Sequence, residues 1–174
     1  MIAIIDYGMG NLRSVQKAFE RLGADACVTS DKETIGKSDK VVLPGVGAIR
    51  PAMDKLRELG LIDVIKDVAA KKPFLGICLG LQLLFDSSTE GGDVAALGIL
   101  PGTVERFQSL KVPHMGWNQI KISQKDSPLF DGMPDKADVY FCHSYFVKPK
   151  DPAVVLTTTD YGLTYASSIA RGRL

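Results

Sequence analysis

A cysteine set between two glycines, Gly76-Ile77-Cys78-Leu79-Gly80, carries the clearest chemical content in this chain. It has the G-x-nucleophile-x-G form of a nucleophile elbow, in which a sharp strand-to-helix turn lifts the middle side chain clear of a sheet. Gly76 and Gly80 avoid steric clashes where chain segments approach closely. Cys78 would stand at the start of a helix, where unpaired N–H groups and the helix dipole favour a thiolate. The N–H of Leu79, directly after the nucleophile, is placed to meet a developing oxyanion. Gln82 shares the helix face with Cys78 one turn later, and Leu83, Leu84 and Phe85 would anchor that helix in the core. A buried structural thiol is the competing reading, since free cysteine is among the most buried residue types. The pentapeptide alone leaves both open.

A second segment, VVLPGVGAI over residues 41–49, reads as a strand followed by a glycine-bracketed loop. Gly45 and Gly47 allow unusual backbone angles that turn successive N–H groups toward one point. The backbone of Val46 and Gly47 is then the source of a second oxyanion donor. In isolation the segment also reads as an ordinary tight turn between a strand and a helix.

The elements that must position these groups are legible as alternating patterns. IAIID (2–6), ADACVT, KVVLP and PFLGI read as buried strands. Between them, Leu12, Val15, Phe19 and Leu22 recur at helical spacing, with Asn11 as N-cap and Gly23 as the stop. Pro51 suits the first turn of a helix carrying Met53, Leu56 and Leu59, and a further helix follows over 61–71. Strands that are continuously apolar and alternate with helices predict a parallel sheet covered on both faces. After about residue 97 the pattern changes. GTVERFQ, NQIKIS, DVYFCHSYFV, AVVLTTT and TYASSIAR are strand-like and separated by turns. They predict an antiparallel half that extends the first sheet or lies against it.

Composition narrows the function. The 174 residues suit one domain, and 45% hydrophobic with 24% charged residues is an ordinary globular balance. A net charge of +1 with no dense basic run gives no electrostatic reason for nucleic acid or an anionic membrane. No apolar run approaches a membrane span, and MIAIIDYG lacks the basic region and length of a signal peptide. A cytoplasmic protein is expected. Three cysteines without a C-x-x-C, and two histidines far apart in sequence, argue against a zinc site. No metal or cofactor is expected, and Cys27 and Cys142 read as structural thiols.

Taken together, LPGVGA (43–48) and GICLGLQLLF (76–85) resemble the oxyanion strand and nucleophile elbow of the class I (triad) glutamine amidotransferases. DYGMGN (6–11), KVPHMGWN (111–118), YFCHSY (140–145) and ASSIARG (166–172) resemble the glutaminase subunits of imidazole glycerol phosphate synthases, of histidine biosynthesis. The resemblance runs the length of the chain. It implies an α/β, flavodoxin-like fold with a mostly parallel central sheet, helices on both faces and an antiparallel extension, in one domain over 1–174. It implies that Cys78 forms a glutamyl thioester from glutamine and releases ammonia. Backbone N–H groups of Leu79 and of the Val46–Gly47 loop would hold the oxyanions. Gly45, Gly47, Gln82, Ser144 and Tyr145 match positions that hold glutamine. Asn11, Met115 and Trp117 match a face that meets a cyclase subunit, a (β/α)₈ barrel that would receive the ammonia. PHMGWN is expected as a loop, with Trp117 an anchor on it. A flavodoxin-like cysteine hydrolase or chaperone would explain the elbow, but not DYGMGN, HMGWN and ASSIARG together.

The resemblance departs from the family at one point. A histidine–glutamate pair in an F-H-P-E-like segment is expected shortly after ASSIARG, and residues 1–174 do not contain it. Neither His114 nor His143 occupies the matching position. A domain shortened at its C-terminus and a non-catalytic binding module for the cyclase are the two readings of that departure, and the intact elbow favours the first.

Overall fold

The computed structural model describes residues 1–108 and 110–174. Strands β1 (Ile2–Ile5), β2 (Ala26–Thr29), β3 (Lys40–Gly45) and β4 (Phe74–Cys78) form a parallel sheet in the order β2-β1-β3-β4. The period of two in a strand assigns its residues to opposite faces. On one face, Ala3, Ile5, Val41 and Leu43 pack with Ile35, Ile49, Met53, Leu56, Ile65 and Val68. These come from α2 (Lys32–Lys37), α3 (Ile49–Glu58) and α4 (Ile62–Lys71). On the other, Ile4, Ala26 and Val42 meet Leu12, Val15 and Phe19 of α1 (Leu12–Arg21). The expected parallel sheet with helices on both faces is the observed one. Among the described residues no helix is long and apolar enough to cross a membrane.

The short α2 has no counterpart among the expected helices. Its N-cap, Asp31, accepts from the Thr34 N–H at 2.8 Å, a local signal easily passed over before only six helical residues. In α1, Asn11 occupies the N-cap position, but its side chain caps nothing. Gly23 follows the helix with φ of 77°, the left-handed conformation that ends helices and favours glycine. Leu22 is the C-cap, one residue past the end of the helix, and is 82% exposed, so it does not share the packed face of Leu12, Val15 and Phe19.

The second half builds its own sheet instead of extending the first. Its strands are β5 (Phe85–Ser88), β6 (Val94–Ala95), β7 (Leu100–Arg106), β8 (His114–Ile122), β9 (Ala137–His143), β10 (Tyr145–Pro149), β11 (Val155–Asp160) and β12 (Thr164–Ile169). The order is β6-β5-β7-β10-β12-β11-β8-β9, and within this sheet, among the described residues, only the β5–β7 pair is parallel.

The structure departs from the expected pattern at three places. The helix after Cys78, α5, spans only Leu79–Gln82. Leu83, Leu84 and Phe85 are core residues as expected, but Phe85 already belongs to β5. The reason lies in the backbone accounting. Carbonyls of Leu83, Leu84 and Phe85 accept from N–H groups of residues 97–100 at 2.8–2.9 Å, so they are not free to continue a helix. The run DVYFCHSYFV is two strands, broken at Ser144. His114-Met115-Gly116-Trp117 is strand, not loop: it begins β8 and pairs along its length with β9.

Candidate active site

The parallel register pairs Gly45 with Cys78, so the glycine loop and the cysteine leave the sheet side by side. Cys78 has φ of 56° and ψ of −114°. Among residues with a Cβ this backbone is sparsely populated, and such strain is held only where the surroundings over-determine it. Those surroundings are visible. A Cβ on Gly80 would lie 1.7 Å from the Leu43 carbonyl oxygen, and one on Gly76 would lie 2.9 Å from backbone atoms of Gly80 and Leu81. Both glycines therefore let the helix start press against its neighbours, as the elbow requires.

The two loop glycines differ in their reason. Gly47 has φ of 91°, which re-aims the backbone after β3. Gly45 is needed for space: a Cβ there would meet the Tyr7 hydroxyl at 2.4 Å and the Leu79 side chain at 2.9 Å. Val46 is exposed between them. Tyr7 itself is fully buried, and its hydroxyl has no hydrogen-bond partner among the described residues. Burial, with the neighbouring Cys78 adding to it, holds the Tyr7 phenol well above its ordinary titration range.

Glu90, which sequence reasoning passed over, fastens the far end of the glycine loop. Its carboxylate accepts from the Ile49 N–H at 2.9 Å, at the first residue of α3, while its own N–H donates to Ser88 Oγ at 3.1 Å. The signal was faint, because an acid in a turn after β5 has no sequence relation to a helix forty residues earlier.

Cys78 opens into a cavity of about 340 Å³, at the small end of ligand pockets. Gln82, Tyr145 and His143 line it with Tyr140 and Cys142. Gln82 Nε2 donates to the Tyr145 carbonyl at 3.2 Å, which joins α5 to the second sheet. Ser144 sits at the bend between β9 and β10, its carbonyl accepting from the Phe107 N–H at 3.1 Å. A larger cavity of about 1000 Å³ runs along the outer side of β4, past Phe19, Leu75 and Leu174, and includes neither a cysteine nor a histidine.

The thiol chemistry is not as a helix N-terminus alone would make it. The Cys78 sulfur is reachable by solvent but sits in a concave wall, and partial loss of hydration pushes its pKa up. The Leu79 N–H opposes that shift without reversing it. A four-residue helix supplies little dipole, so desolvation wins. Neither histidine is hydrogen-bonded to Cys78 among the described residues. Cys142, expected to be structural, is exposed beside the cavity, and Cys27 is half-buried.

Met115, Trp117 and Tyr140 form an exposed patch on the β8–β9 pair, which reaches the Cys78 cavity through Tyr140. Trp117 is 72% and Met115 60% exposed, and Trp117 meets Tyr140 edge-to-face with ring centroids 5.6 Å apart. Alternation sends these side chains outward while His114 on the same strand is buried. Asn11 is exposed elsewhere, at the start of α1, after a turn in which Asp6 Oδ1 accepts from the Gly8 N–H at 2.9 Å.

Residues 3–171 match the glutamine amidotransferase class-I family. The chain belongs to that family. Among curated proteins it is 52% identical over 180 residues to the imidazole glycerol phosphate synthase subunit HisH of Syntrophotalea carbinolica, covering 98% of this chain and 87% of that protein. It is 54% identical over 175 residues to the HisH subunit of Moorella thermoacetica, covering 99% and 83%. Solved structures share the fold at lower identity. One glutamine amidotransferase superposes with a TM-score of 0.70 at 18% identity, over 93% of this chain and 86% of that one. PurLQS from Thermotoga maritima superposes with a TM-score of 0.69 at 20% identity, over 91% and 73%. This amidotransferase is thus a glutaminase of the HisH type, related to subunits of histidine biosynthesis along nearly its whole length.

Proposed function

We propose that Cys78 is the nucleophile with which this chain hydrolyses glutamine, and that the ammonia serves a cyclase subunit making imidazole glycerol phosphate and AICAR. The observation that carries the assignment is the strained Cys78 backbone held directly beside Gly45. The thiolate attacks the side-chain amide carbon of glutamine, and the carbonyl electrons move to oxygen. N–H groups of Leu79 and of the Val46–Gly47 loop receive that oxyanion. The C–N bond breaks as the nitrogen gains a proton, ammonia leaves, and a glutamyl thioester remains. Water then adds to the thioester and gives up a proton, and glutamate departs with the thiol restored. Gly45, Gly47, Gln82, Ser144 and Tyr145 form the walls that hold the substrate.

Residues 1–174 supply the nucleophile, the oxyanion loop and the substrate wall. The family's histidine–glutamate pair is not among them. General acid–base assistance of about 10²–10⁴-fold would come from outside these residues. Asn11, Met115 and Trp117 form the docking positions for the cyclase barrel in a heterodimer, in a reducing cytoplasm that leaves the thiols free. The absence of a histidine on Cys78 also favours a second reading, a binding module for the cyclase without hydrolysis.

The test is glutamate release, with and without the cyclase and its nucleotide, by this chain and by a chain extended with a relative's C-terminal residues. Glutamate from either, abolished by Cys78→Ser, supports the proposal. Binding to the cyclase with no glutamate from either leaves the binding module. No binding to the cyclase removes the partner assignment.

A further inference from the structure

The two histidines lie 29 residues apart in sequence, yet β8 and β9 pair them directly across the sheet. His114 is buried and His143 half-buried against the wall of the Cys78 cavity. Their hydrogen bonds form a chain whose direction follows from the atoms at its ends. At one end, the carbonyl of Tyr145 accepts only, so His143 Nδ1, 2.8 Å away, carries the proton and donates. In the neutral ring His143 Nε2 is then an acceptor.

At the other end, Asn118 Nδ2 donates to the Asp160 carbonyl at 2.8 Å and approaches His114 Nε2 at 3.3 Å. An amide nitrogen donates only, so His114 Nε2 accepts and its Nδ1 carries the proton. Between the rings stands the buried Tyr165, its hydroxyl 3.3 Å from His114 Nδ1 and 3.2 Å from His143 Nε2. His114 Nδ1–H donates to the Tyr165 oxygen, and the Tyr165 O–H donates to His143 Nε2. The direct ring-to-ring distance, 3.2 Å, allows His114 to share its proton with His143 as well. Each donor in the chain then meets an acceptor and each acceptor a donor, with both imidazoles neutral.

The far end of this chain is a substrate wall. The Tyr145 carbonyl takes the His143 proton and the Gln82 amide proton together. Phe107 braces the assembly, its ring edge-to-face with both histidines and with Tyr165 at centroid distances of 5.2–6.1 Å. We propose that the Asn118–His114–Tyr165–His143 chain fixes the Ser144–Tyr145 backbone against glutamine, making His143 a positioning residue for substrate recognition. This rests on the reading of the Cys78 cavity as the glutamine site.

The experiment measures alkylation of Cys78 by iodoacetamide, resolved from Cys27 and Cys142 by peptide mass spectrometry, as a function of added glutamine. The concentration giving half-maximal protection reports binding without requiring turnover. His143→Leu and Tyr165→Phe should each raise that concentration about three- to tenfold, the worth of one hydrogen bond. His143→Asn, which restores an N–H near the lost Nδ1, should recover at least half of the His143→Leu loss. Unchanged protection in both His143→Leu and Tyr165→Phe overturns the relay while leaving the glutamine site standing. Equal loss in His143→Leu and His143→Asn also overturns it, since it marks a packing role. If glutamine fails to protect Cys78 in the unaltered chain, the glutamine site falls and the relay with it.

Discussion

Replacing Cys78 by glycine should stabilise the protein relative to replacing it by alanine, the reverse of the usual order. Both variants lack the thiol, so their difference isolates the Cβ in a backbone with φ of 56° and ψ of −114°. A residue with a Cβ in a sparse region stores about 1–3 kcal/mol. Glycine relieves that strain but loses about 0.4–1 kcal/mol through the greater freedom of the unfolded chain. The balance is about 1 kcal/mol in favour of glycine, or roughly 2–4 °C in a domain of this size. Thermal denaturation of the two variants side by side reads the difference. A glycine variant that melts at or below the alanine variant would show that the turn is relaxed, and the elbow would lose its main physical support.

Alkylation of Cys78 in the absence of glutamine should reach half its limiting rate above pH ~8.5, the ordinary thiol value, because partial burial raises the pKa; a midpoint below that value would mean the Leu79 N–H outweighs desolvation. Gly80→Ala should destabilise by roughly 4 kcal/mol or more or prevent folding, since its Cβ would overlap the Leu43 carbonyl oxygen, and denaturant titration checks it. Acid should weaken the fold through His114 and His143, whose pKa values burial holds below the ordinary value. The unfolded chain takes up protons near pH 6.5 that the folded chain refuses, so the contribution is complete above that value and is lost as pH falls toward the folded pKa, by at most about 1.4 kcal/mol per pH unit for each group. Stability measured from pH 8 to 5 should show this slope, and His114→Phe should reduce it. Trp117→Ala should weaken cyclase binding by about 2 kcal/mol in titration calorimetry while leaving the melting temperature within about 1 °C, as an exposed interface anchor would.

The first half of the molecule was legible because its central strands, β1 and β3, are buried on both faces and read as unbroken apolar runs. Cys78, Gly76 and Gly80 were legible because their spacing is dictated by one tight turn. The length of α5 was not, because its end is set by N–H groups of residues 97–100, beyond any local window. Gly45 was singled out for its freedom of backbone angle. It proved necessary for room beside Tyr7, a long-range packing fact with no local mark. Trp117 was placed correctly at the surface on the wrong kind of element, since Pro113 and Gly116 signal a turn more strongly than β8 signals a strand. The histidine pair was invisible: only the β8–β9 register brings His114 to His143.

The division of the site between two sheets explains why those failures cluster where they do. Cys78 and the Val46–Gly47 loop, the proposed nucleophile and oxyanion site, lie at strand ends of the parallel sheet, where each strand end is fixed by its neighbour and the pattern is local. The proposed substrate wall around Ser144 and Tyr145 belongs to the second sheet, where placement depends on register between distant segments. The Gln82–Tyr145 hydrogen bond crosses from one to the other, and α5, which carries Gln82, packs against β10. A shift of β10 relative to β4 would therefore leave the strained Cys78 turn intact, since Leu43 and Gly80 hold it within the first sheet, and would misplace only the proposed glutamine wall. Under the proposed function, reactivity of the thiol and selection of its substrate are consequently separable, and perturbations of the second sheet should act on the second alone.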